Sequence, residues 1–239
     1  MKRNLLIGAA VVAVLLLGGG AGAYAYFFSG LRSAPQPLAL ASPSPAATAA
    51  SSAPGDPTGT WRVASGSQVG YRVREQFIGQ SAAHEAVART SDVSGTLTVE
   101  QGSGALTASN LSFSAQVAGL KSVDQVAGYN VGNRDRIVSS TLQVTRFPTA
   151  SFLATSVALP ADVGSGGLVS LQVPGKLTVH GVTRDATASV TVQVTGSQAQ
   201  VVGTVKVNMT DFGMQPPSVG FTSVEDATTI EFKLVMTRG

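Results

Sequence analysis

From Gly59 to the C-terminus, apolar and polar residues trade places one for one. In GTLTVEQ, Leu97 and Val99 share a face; in LSFSAQV, Leu111, Phe113, Ala115 and Val117 do so against Ser112, Ser114 and Gln116. In ASVTVQV, Ala188, Val190, Val192 and Val194 align. Val201, Val205, Val207 and Met209 then oppose Val202, Thr204, Lys206 and Asn208, and Ile230, Phe232, Leu234 and Met236 oppose Glu231 and Lys233. Side chains alternate across a pleated strand, so each segment has one dry face and one wet face. No 3.6-residue period is sustained, so no helices are expected to cover the dry faces. Those faces must meet one another, in a sandwich or a closed antiparallel barrel. About eight or nine strands follow Trp61, a number that suits a small barrel able to hold one ligand. The stretch VAGLKSVDQVAGYNVGNRDRIV does not alternate and is expected to hold a loop or short helix.

Two other zones precede this domain, which spans residues 58–239. Residues 1–32 open with Lys2 and Arg3 and continue uncharged from Leu5 to Leu31. The apolar body from Leu5 to Phe28 would be about 36 Å long as a helix, enough to cross a bilayer. Tyr24, Tyr26, Phe27 and Phe28 gather where an aromatic belt would sit, and Lys2 and Arg3 favour a cytoplasmic N-terminus. The expectation is an N-terminal transmembrane helix, single-pass, with the C-terminal domain outside the cytoplasm. Cleavage as a signal peptide at the A-x-A match Ala23–Ala25 is the alternative, and it too exports the domain. Residues 33–57, SAPQPLALASPSPAATAASSAPGDP, are Ala, Ser and Pro with one acidic residue, and read as a disordered linker.

Composition removes several function classes. The chain has no cysteine, which excludes thiolate zinc sites, a cysteine nucleophile and a lipid anchor on cysteine. Charged residues are 12% of the chain, with a net charge of +3 and no basic cluster beyond the extreme N-terminus. A nucleic-acid partner, which needs a dense positive stripe, is therefore not expected.

The order of motifs carries the reading further. TWRVASGSQVGYRVRE opens the domain at Thr60. SGTLTVE, NRDRIVSS, RFPTASF, GKLTVHGVTRDAT, DFGM and VEDATTIEFKL follow in turn. This chain resembles the YceI-like family of bacterial exported, lipocalin-like barrels associated with polyisoprenoid lipids, over nearly all of Trp61 to Arg238. The resemblance implies an antiparallel barrel whose long apolar interior takes an isoprenoid or similar long-chain lipid, with no cofactor and no covalent chemistry. The residues expected to line that interior are Val69, Tyr71, Val73, Phe77, Leu97, Val99, Leu111, Phe113, Phe152, Leu177, Val179, Val190, Val192, Val205, Val207, Ile230, Phe232 and Leu234. Two departures bear on the mouth. Ile137 stands where members commonly carry a histidine, and SSTLQVTRFP is shorter before Phe147 and lacks two phenylalanines common there.

Composition alone favours an interior filled by these same side chains, and only the resemblance points to a cavity. A filled barrel would act as a cell-envelope interaction module without a lipid. A lipid-modifying enzyme is the third reading, but no G-x-S-x-G elbow supports it. His180, out of phase with Leu177 and Val179, is expected to serve a turn. His84, in the polar QSAAHEAVART, is expected on a solvated edge. Two histidines without supporting spacing make a poor metal site. Arg134–Asp135 and Arg184–Asp185 read as surface pairs or strand-end hydrogen bonds. Glu75 interrupts the apolar face of Val69, Tyr71, Val73 and Phe77. At an open end it is a candidate head-group contact; on a bulge it would turn outward. The pattern fixes no oligomeric state, and a dimer is compatible with it.

Overall fold

The computed structural model describes residues 32–40, 54–78, 83–126, 129–220 and 222–239. In chain order the strands are β1 (Arg32–Ser33), β2 (Gly59–Val63), β3 (Gln68–Phe77), β4 (His84–Thr90), β5 (Val93–Gln101) and β6 (Leu106–Gln116). The short β7 (Lys121–Ser122) and β8 (Gln125–Val126) and one helix, α1 (Gly132–Thr141), follow. Next come β9 (Thr149–Leu159), β10 (Val169–Val179), β11 (Val182–Thr195), β12 (Gln198–Asn208), the short β13 (Ser218–Val219) and β14 (Thr222–Arg238).

The strands close on themselves. β2 and β3 are the two halves of one bent stave, and so are β4 and β5: β2 pairs β5, β3 pairs β4, and β14 lies along both β3 and β2. From β5 the pairing runs through β6, β9, β10, β11 and β12, always antiparallel, and β12 pairs β14 to complete an all-β barrel of eight staves. One seam is short: β9 and β10 pair only through Ser151–Leu153 and Lys176–Thr178, and the remainder of the two strands is not paired there.

Two bulges adjust the alternation. Asn110, at φ 54°, is the extra residue where the β5–β6 register shifts between Thr96 and Thr98. Leu106 and Ala108 point inward before it, and Leu111, Phe113 and Ala115 after it, so the bulge moves the apolar set from even to odd positions. The second bulge lies on β14, between Val224 and Thr228 opposite β3. Its Asp226 accepts hydrogen bonds from the Thr210 amide (2.9 Å) and hydroxyl (2.6 Å), which holds its carboxyl below the usual range. β10 and β11 are joined by a two-residue turn. His180 and Gly181 both take positive φ (52° and 72°), the requirement of a type I′ hairpin. A Cβ on Gly181 would lie 2.4 Å from the Phe147 ring, so glycine is needed there for space as well as for conformation.

The barrel has two unlike ends. At one, Trp61 is 2% exposed and its indole N–H donates to the Pro57 carbonyl (2.8 Å). The Gly55 amide bonds the Gly164 carbonyl (3.0 Å), so residues 54–57 and the β9–β10 loop lie together across this tryptophan end. At the other end, the helix end, the cover is α1, the 3-10 turn Met209–Phe212 and β13, which belong to the connections between staves.

Residues 34–40 differ from the free linker expected of 33–57: they lie on the outside of the barrel. β1 pairs β8 at the helix end. The Pro35 carbonyl then accepts from Arg72 (2.6 Å), the Gln36 carbonyl from Arg89 (2.7 Å), and the Leu38 amide donates to Glu231 (3.2 Å). This strap therefore runs from the helix end towards the tryptophan end. It converts part of the wet face into a covered one: Glu231, on the polar side of β14, is 1% exposed and bonds both Arg72 (2.6 Å) and Arg89 (2.8 Å). Pro54–Pro57 are also placed, whereas residues 41–53 lie outside the described residues, as does the transmembrane helix expected within 1–32. Among the described residues no helix is long and apolar enough to cross a membrane.

Candidate ligand cavity

The inward faces do not meet in the middle. They enclose a cavity in two lobes. The lobe at the tryptophan end has a volume of about 190 Å³ and is walled by Trp61, Leu97, Val99, Leu111, Phe113, Phe152, Leu177, Val190, Val192, Val205, Phe232 and Leu234, with other aliphatic side chains; Ser114 and Ser151 are its only polar residues. The lobe at the helix end, about 160 Å³, takes Tyr71, Val73, Val179 and Val207 from the staves and Ile137, Val138 and Leu142 from α1 and its end. Val69, Ala115, Ala150 and Ile230 border both lobes. Ala115 and Ala150 face each other across β6 and β9, so on that side the wall between the lobes carries only methyl groups, with Val69 and Ile230 on the other. An apolar cavity of about 150 Å³ is the size that admits a benzene-sized molecule and stays dry without one.

Of the residues expected to line the interior, Phe77 alone stands outside both lobes. It packs against Tyr129 (ring centroids 5.8 Å) and His84 (6.5 Å), beyond the helix lobe. α1 presents Arg134, Ile137, Val138 and Thr141, at i, i+3, i+4 and i+7, to the cavity. Ile137, where the family commonly has histidine, is thus an aliphatic part of this lobe.

The polar chemistry gathers at the helix end. Glu75 keeps its inward phase, because the β14 bulge sits on the neighbouring strand. It is 3% exposed and its carboxylate bonds the Arg134 guanidinium in a very short contact. Arg134 also donates to Asp124 (2.7 Å) and approaches the Ser122 hydroxyl (3.4 Å). Asp124 accepts in addition from the Val87 amide (3.0 Å) and pairs with His84 Nε2 (2.7 Å). Burial alone would raise the Asp124 carboxyl; the hydrogen bonds from His84 and Arg134 outweigh it and hold it below the usual range. Burial would lower Arg134, and the facing carboxylates of Glu75 and Asp124 reverse that. Burial pushes the Tyr71 phenol well above its ordinary value.

Three expectations are corrected here. His84 is not on a solvated edge: it is 4% exposed and held by Asp124, because β7 and the residues after it fold over β4. Arg134 does not pair with Asp135 at the surface. The helix turns Arg134 inward, while Asp135 accepts the Ser122 amide (2.9 Å). His180 lies in its turn, with Nδ1 against the Phe212 carbonyl (3.1 Å), so Nδ1 carries the proton. Asp185 pairs with Lys176 (2.6 Å) on the surface rather than with Arg184.

Glu75, His84 and Asp124 each offer one ligand atom, all within 4.8 Å of one another. A cation there would have to displace the guanidinium that already bonds both carboxylates, so the group reads as a buried ion cluster at the inner side of the cover.

A closed antiparallel barrel with an apolar two-lobed hollow and one polar end is the architecture of a small-molecule binding protein. The chain belongs to the YceI-like domain family, whose model matches residues 61–236. Among solved structures it is similar to a polyisoprenoid binding domain from Saccharophagus degradans (12% identity, covering 76% of this chain and 99% of that one, TM-score 0.54). BcnA of Burkholderia cenocepacia is 19% identical, over 71% of this chain and 95% of its own, with a TM-score of 0.49. No curated protein matches the chain.

Proposed function

We propose that this protein binds a polyisoprenoid or similar long-chain lipid inside the barrel, as a carrier or store without covalent chemistry. The observation that supports this most is the two-lobed hollow, apolar along almost its whole wall, its lobes adjoining at Val69, Ala115, Ala150 and Ile230. Each methylene-sized group buried there contributes about 0.8 kcal/mol, so a prenyl unit of five carbons contributes about 4 kcal/mol. A hydrocarbon tail needs length along such a wall and few polar contacts. The similar fold of the Saccharophagus degradans domain, a polyisoprenoid binding domain by description, points to the same ligand class.

We propose further that the domain acts outside the cytoplasm, tethered by the apolar stretch Leu5–Phe28. Three residues separate Phe28 from Arg32, a reach of at most about 14 Å over four Cα steps, and Arg32 is fixed at the helix end. Such a tether holds the helix end, with the polar lobe behind it, towards the membrane.

Native mass spectrometry of the protein purified from cells tests the ligand reading: a co-purifying lipid is expected. Val190→Trp with Val205→Trp, both in the tryptophan-end lobe, should abolish lipid uptake while the β circular dichroism persists. Unchanged uptake would count against the hollow as the binding site.

A further inference from the structure

The helix lobe holds two buried polar atoms that have no hydrogen-bond partner among the described residues: the Tyr71 hydroxyl and Arg134 Nε. Both residues line the same lobe. Elsewhere in the cluster the accounting closes: the two terminal nitrogens of Arg134 are taken by Glu75 and Asp124, and Asp124 is filled by His84, Arg134 and the Val87 amide. A buried donor without a partner costs about 1–3 kcal/mol, so two in one lobe call for an acceptor from outside the chain.

The charges narrow what that acceptor is. Glu75 and Asp124 bring two negative charges, Arg134 one positive, and His84 at most one more. The cluster is thus neutral or singly negative, with no surplus of positive charge for a phosphate or diphosphate. Desolvating such an anion beside Glu75 and Asp124 would be opposed by both. A neutral oxygen with free lone pairs meets no such opposition and satisfies the donors. We propose that the helix lobe is a subsite for an uncharged carbonyl head group, as in a ketone, amide, ester or quinone, received by the Tyr71 hydroxyl and Arg134 Nε. This rests on the lipid-binding reading of the hollow. It places the head at the helix end and the tail in the purely apolar lobe against Trp61.

The test compares three ligands of matched chain length on the intact protein: tridecane, tridecan-2-one and dodecyl phosphate. Trp61, the only tryptophan, borders the tail lobe and reports occupancy by fluorescence; calorimetry gives the affinities. The ketone should bind about tenfold tighter than the alkane, and the phosphate weaker than the ketone. Tyr71→Phe removes a hydroxyl that has no partner among the described residues, so thermal stability should hold. It should lower the ketone's affinity about three- to tenfold relative to the alkane's. Equal binding of ketone and alkane, a phosphate that binds tightest, or a ketone preference that survives Tyr71→Phe would overturn the subsite while leaving the hollow intact. Failure of all three to bind would overturn the lipid reading with it.

Discussion

Asp124 shows how one residue ties the cover to the barrel. It sits between β7 and β8, yet it bonds His84 and Val87 on β4 and Arg134 on α1. Removing one partner from a buried ion cluster costs about 3 kcal/mol, so Asp124→Asn should lower stability by roughly that amount in urea denaturation. The sign of its pH dependence follows from the depressed carboxyl. Its folded value lies below the unfolded one, so its contribution is complete above the ordinary aspartate pKa of about 4. The contribution fades as the pH falls through the folded value. Acid unfolding of the native protein should therefore steepen below about pH 4, and Asp124→Asn should flatten that limb. None of this was legible in the sequence. Glu75, His84, Asp124 and Arg134 come from four separate segments, and no local spacing marks them as neighbours. The one hint was Glu75, a carboxylate on an apolar face, which has to be met by a positive charge if it stays inside.

The staves were legible because a half-buried strand writes its burial as a period of two. The helix was not. The four residues α1 turns inward are Arg134, Ile137, Val138 and Thr141, charged and polar at both ends, so its inner face leaves no apolar stripe. The bulge at Asn110 is equally silent: it changes the phase of β6 between Ala108 and Leu111 without a glycine to announce it. The strap was hidden by composition, since Pro35, Gln36 and Leu38 bind the barrel through their backbone groups. At the level of elements the sharpest prediction concerns the wall between the lobes. Ala150→Leu should divide the hollow and weaken binding of a sixteen-carbon alkane at least tenfold, with about eight carbons' affinity unchanged, as read by calorimetry. Equal losses for both lengths would mean that the lobes do not act as one channel.

For the molecule as a whole, the strap sets a direction. Its first residues are paired at the helix end, where Ile78 (75% exposed) and Val123 (42%) present apolar side chains to solvent. The chain lacks cysteine, so single cysteines at Ile78 and at Ser103, in the β5–β6 turn of the opposite end, can carry a fluorophore without background. In the full chain reconstituted into phosphatidylcholine vesicles, a quencher on the lipid head groups should dim the Ile78 label at least twice as strongly. A twenty-residue Gly/Ser spacer between Leu31 and Arg32 should erase the difference. Equal dimming without the spacer would show that the strap does not orient the barrel.

On the lipid-binding reading, the cover of Trp61, Val163 and residues 54–57 over the tryptophan end leaves the helix end as the way in for a guest. A guest that enters there also leaves there, so filling and emptying would exclude each other in time. A guest that backs in by its oily tail can be withdrawn only by its head. A recipient protein or bilayer would therefore never need to recognise the hydrocarbon at all.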